Sequence, residues 1–70
     1  MLLQKRLMWP KVGENIEVRT DGKVTAQGLV TDVSERSISV LTPDMTTILL
    51  DCQSLDHGIE DRRIVVRKTR

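Results

Sequence analysis

Basic side chains crowd the end of this chain: Arg62, Arg63, Arg67, Lys68 and Arg70 fall within its last nine residues. Arg63 and Arg67 share parity, so on an extended strand both project from one face, roughly 13 Å apart at the usual rise per residue. Guanidinium forks at that spacing suit successive phosphates of a nucleic-acid backbone, whose oxygens they can meet two at a time. Lys5, Arg6 and Lys11, near the start, would enlarge the patch if the two ends of the chain meet. The candidate nucleic-acid contacts are therefore Lys5, Arg6, Arg63, Arg67 and Lys68. The chain has no Phe or Tyr, which leaves Trp9 and arginine planes as the stacking surfaces. Single-stranded RNA is normally held by stacking as well as by charge. Binding by this chain should then be dominated by phosphate contacts and fall steeply with salt.

Other chemistry is sparse. Cys52 and His57 could form a thiol–imidazole pair, but Cys52 follows an apolar run and reads better as a small core residue, with His57-Gly58 as a turn. Cys52 is the single cysteine, which excludes an internal disulfide, and two sulfur or nitrogen ligands are too few for a zinc site. No glycine-rich phosphate loop and no spaced carboxylate pair stands out, so the expectation is a non-enzymatic protein with no metal and no cofactor.

The net charge is only +1, but it is unevenly spread. Residues 1–11 carry +3, residues 12–58 carry −5 and residues 59–70 carry +3. Such a pattern makes either a basic patch from the two ends or ion pairs between ends and middle, within or between subunits. The opening "MLLQKRLMWP" is too short and too interrupted by charge for a membrane span or a signal peptide, so a cytoplasmic protein with no membrane contact is expected.

These residues need a scaffold. Leu3 and Leu7 at helical spacing predict a short helix over residues 1–9, ended by Pro10. From residue 12 the period becomes two. Ile16 and Val18 define a strand to Thr20, and Asp21-Gly22 supplies a tight turn because both of its central positions need positive φ. A long run follows, Val24 to Val33, in which Val24, Ala26, Gly28 and Val30 alternate with Leu29, Thr31 and Val33, and Gly28 marks a bend where the buried face changes. Ser34-Glu35-Arg36 is a turn, Ser37 to Leu41 a strand, and Thr42-Pro43-Asp44-Met45 a turn with proline in its favoured place. Thr46 to Asp51 makes a fourth strand, whose unbroken Ile48, Leu49 and Leu50 suggest burial on both faces or a subunit contact. Gln53 to Asp61 reads as a looser segment and Arg63 to Lys68 as the last strand. The result is an all-β, single domain over residues 1–70: a five-stranded, SH3-like small barrel over 12–68 behind a short helix. So short a chain has a thin core, which makes self-association a natural source of further burial.

The stretch "IEVRTDGKVTAQGLVTDVSERSISV", followed by "TTILLD" and "RRIVVRK", resembles the Sm/LSm family of RNA-binding barrels, Hfq-like in its helix, its polar-Gly turn and its second glycine in a long bent strand. The second glycine falls one residue late, and "IVVRK" stands where that family has Arg-Gly. The resemblance implies RNA as partner and a ring in which strand four of one subunit pairs with strand five of the next. Ile48, Leu49, Leu50 and Val65 would then be interface residues. Over "DGK" and "LDCQSLDH" the chain is also similar to Rof-like antiterminators, a monomeric variant of the fold, which implies an RNA-associated protein as partner. A third likeness, "TDVSERSISV", resembles the Asp-x-Ser-x-x-Gly element of PilZ domains that bind cyclic di-GMP. Asp32 and Ser34 match, Ser37 replaces the glycine, and Pro10 stands where an arginine should follow Arg6. A protein-interaction module, such as a small regulator or a phage or plasmid accessory protein acting through Ile48 to Leu50 or the helix Met1 to Met8, is the competing reading to RNA binding.

Overall fold

The computed structural model describes residues 9–69. It contains β1 (Asn15–Thr20), β2 (Lys23–Val33), β3 (Ser37–Leu41), β4 (Thr47–Asp51), α1 (Cys52–Glu60) and β5 (Ile64–Lys68). The helix expected over residues 1–9 lies outside the described residues except for Trp9, which is buried. The five strands form one antiparallel sheet in the order β4-β3-β2-β1-β5. The all-β, five-stranded expectation holds.

Each junction follows from its residues. Asp21 and Gly22 adopt φ of 52° and 83°, the left-handed pair that twists a two-residue hairpin loop to match its strands. In the β2–β3 turn, Ser34 Oγ accepts hydrogen bonds from the backbone N–H groups of Arg36 (3.3 Å) and Ser37 (3.1 Å), replacing ladder partners that a turn lacks. Between β3 and β4 the Met45 N–H donates to the Thr42 carbonyl at 2.9 Å, and the Thr42 hydroxyl donates to the Asp44 carboxylate.

Residues expected as a loose segment form α1 instead. Asp51 caps it, its Oδ2 accepting from Ser54 N–H at 2.9 Å and Ser54 Oγ–H at 3.0 Å. Cys52 and Leu55 then fall on one helical face and are buried. Gly58, taken for a turn residue, sits inside the helix because the Ile64 side chain fills the space its Cβ would need. Arg62, at φ 62°, stops the helix, and the Arg63 N–H donates to the Gly58 carbonyl at 2.9 Å.

The inner face of the sheet carries Ile16, Val18, Ala26, Val30, Ile38 and Val40, covered by Trp9, Cys52 and Leu55. Ile48, Leu50, Ile64 and Val66 pack against this core from the two edge strands. The long β2 does change its inward parity, but not at Gly28. Register shifts lie between Val18 and Arg19 opposite Thr25, and between Val30 and Asp32. Each leaves one residue of β2 unpaired, so Val24 pairs with outward Arg19, while Val33 pairs with inward Ile38.

Gly28 has a different task. Its φ is +155°, and a Cβ there would stand 2.1 Å from the Leu41 carbonyl oxygen, a backbone atom that cannot swing aside. Replacing Gly28 with Ala should therefore lower unfolding stability by about 3 kcal/mol from overpacking and strain combined. Gly22→Ala, at φ +83° with nothing within 4 Å, should cost about 1 kcal/mol. Urea midpoints in that order confirm the close approach; equal midpoints contradict it.

Candidate functional site

The expected basic strip does not assemble as a single unopposed patch. Arg63 precedes β5, and its Nη2 lies 3.7 Å from Asp61 Oδ2, both side chains exposed. Lys68 pairs with Ile16 in the β1–β5 ladder, on the inward parity, and its Nζ lies 3.2 Å from Glu14 Oε2. Arg67 takes the outward parity with Val65 and stands opposite Glu17, whose Oε1 also accepts from Arg19 Nε at 2.8 Å. Lys5 and Arg6 lie outside the described residues. Of the two charge arrangements left open by the sequence, pairing between ends and middle is realised at Lys68–Glu14.

The four apolar interface candidates divide by face. Ile48 and Leu50 turn inward and pack on the core. Leu49 (69% exposed) and Val65 (50%) turn outward, one on each edge strand of the sheet. Among the described residues the Ile48–Leu50 run is thus covered on one face only.

The thiol is buried, 1% exposed, and its Sγ–H points to the Ser34 carbonyl at 3.9 Å. It takes the core place expected of it. The Ser34 hydroxyl, proposed as part of a nucleotide-binding element, is engaged in its own turn, donating to the Ser37 carbonyl at 3.2 Å. Asp32 is exposed on β2. Among the described residues no helix is long and apolar enough to cross a membrane, and no three His, Cys, Asp or Glu residues are grouped to hold a metal ion.

Two hollows flank α1. One, about 340 Å³, lies between the helix and the inner face of the sheet and is lined by apolar side chains including Trp9, Leu50, Leu55, Ile59 and Ile64. The other, about 710 Å³, runs along the helix beside the β2–β3 turn. It is lined by Glu35, Arg36, Asp51, Gln53, Asp56, His57 and Glu60. The backbone closes this corner: the Cys52 N–H donates to the Arg36 carbonyl at 2.8 Å. No reading of the sequence found this acidic group, because its members are scattered from residue 35 to residue 60 and converge only when α1 docks. The available signal was Asp51 followed by Ser54, a helix cap, with Cys52, Leu55, Asp56 and Ile59 at helical spacing behind it.

Comparison with family models, with curated proteins and with solved structures returned no match for this chain.

Glu14 ties the entry to β1 to the exit from β5. Its Oε1 accepts from the Lys11 N–H at 2.6 Å and its Oε2 meets Lys68. The Lys11 N–H is the chief cause that holds its carboxyl below the ordinary 4.5; burial opposes, and the hydrogen bond and charge of Lys68 assist. A depressed folded value stabilises the fold above 4.5, and that contribution is lost as pH falls through the folded value. An NMR titration should place the Glu14 midpoint under 4.5, and Lys68→Met should raise it only partway, because the larger cause remains. A midpoint at or above 4.5 contradicts this clamp.

Proposed function

We propose that this chain is a non-enzymatic protein-interaction module that joins further copies of itself, or a partner strand, along the open edges of its sheet. The observation that carries this reading is the pair of edge strands. Among the described residues β4 and β5 each pair on one side only, and each presents an exposed apolar side chain, Leu49 and Val65. An open edge offers a row of unpaired backbone N–H and C=O groups, a template for adding a strand from another chain. A small domain with one aromatic residue gains most from such burial. The Sm-like resemblance agrees with it, since β4 of one copy would meet β5 of the next.

RNA binding is the second reading, favoured by Arg67, which is exposed at the end of β5, and by Arg62 and Arg63 in the turn before it. Against it, Lys68 and Arg63 lie beside Glu14 and Asp61, and outward Glu17 faces Arg67. A phosphate approaching this strip meets carboxylates as well as cations.

Solution mass and RNA retention, measured together, decide between them, because a ring is compatible with RNA binding as well. The first reading expects a mass that is a multiple of 8.0 kDa and rises with concentration. Leu49→Lys, at an exposed position, should return it to monomer without loss of fold, because charge on an edge strand opposes edge-to-edge pairing. A monomer at all concentrations, combined with salt-dependent RNA retention on filters that is lost in Arg63→Ala and Arg67→Ala, would overturn it in favour of RNA.

A further inference from the structure

We propose that the apolar hollow between α1 and the sheet is a docking site for the first eight residues of the same chain. Among the described residues the wall of this hollow, about 340 Å³, carries no charged side chain. Leu50, Ile59, Ile64 and Val66 line it and are only half-buried. Water is a poor occupant, since it needs polar partners that such a wall lacks. An apolar occupant gains by leaving water and by the contacts it makes.

The point of attachment selects that occupant. Residues 1–8 lie outside the described residues and join the rest at Trp9, which together with Pro10 forms part of the wall. Eight residues reach about 12 Å as a helix, close to the length of the nine-residue α1. Their sequence, MLLQKRLM, puts Leu3 and Leu7 on one helical stripe and Lys5 and Arg6 off it. No Lys or Arg occurs between Asp51 and Asp61, so Lys5 and Arg6 meet no like charge along α1. A tethered segment also stands at a local concentration of roughly millimolar, which a second copy or a free ligand must match. The consequence reaches the basic ends of the chain. A segment over the inner face carries Lys5 and Arg6 to the side of the sheet opposite outward Arg67, so the two ends do not form one phosphate-binding strip.

The inner face is a surface apart from the strand edges, so failure here leaves the edge reading intact. The test is methyl NMR of the full chain in dilute solution. With leucine and isoleucine methyls labelled in one molecule, Leu3 and Leu7 should show nuclear Overhauser contacts to Ile59 and Ile64. Those contacts should vanish in an equal mixture of leucine-labelled and isoleucine-labelled copies. Leu3→Glu and Leu7→Glu should each move the emission of Trp9, buried and the single tryptophan, to longer wavelength and raise binding of anilinonaphthalene sulfonate severalfold. Lys5→Glu, off the stripe, should do neither. Contacts that persist in the mixture would assign the hollow to a second copy. No contacts in either sample, or equal dye binding by the wild type and both leucine variants, would leave it open to a free apolar ligand. Either result overturns the proposal, and the methyl contacts decide it even if a leucine variant fails to fold.

Discussion

One connection governs this molecule: the chain leaves β4 at one edge of the sheet and must reach β5 at the other. β5 adds beside β1, not beside β4, so the link has to pass over the inner face. A capped helix makes the passage, and in doing so it lays Cys52 and Leu55 on the aliphatic stripe of β1, β2 and β3. A sheet with one apolar face needs a cover, and among the described residues α1 and Trp9 supply it. The same crossing leaves β4 and β5 as edge strands, each without a second strand beside it among the described residues.

Charge follows from this arrangement. Bringing β5 beside β1 sets basic end residues against acids of the middle segment, Lys68 with Glu14 and Arg67 across from Glu17. Docking α1 near the β2–β3 turn brings Asp51 and Asp56 beside Glu35 and Arg36, residues far apart in the sequence. A net charge of +1 therefore conceals an uneven distribution along the chain.

The strands were legible because their causes are local. Alternation in "IEVRT" and "SISVL", the Asp-Gly turn and the serine turn each act within a few residues, and each element stands within a residue or two of its expected place. α1 was not legible, because Gly58 follows His57 in a pattern that usually marks a turn. What holds glycine in the helix is Ile64, a tertiary contact. The parity changes of β2 were misplaced at Gly28 for a related reason: a bulge at Thr25 or Thr31 needs no special residue, whereas the glycine answers to the Leu41 carbonyl. Candidate sites fared less well than strands. Parity correctly separates Arg67 from Lys68, yet the acids that oppose them, and those that meet at Asp56, come from distant segments and leave no local pattern.

Amide hydrogen exchange, read residue by residue in dilute solution and again at high concentration, tests the open-edged sheet most directly. Amides within β1 and β2 should be protected throughout, while alternate amides of β4 and β5, those turned away from the sheet, should exchange freely when dilute and slow down when concentrated. Protection of every β4 and β5 amide in dilute monomer, equal to that of β2, would mean that the two edges already pair with each other, and the account of an open, partner-seeking sheet would be wrong.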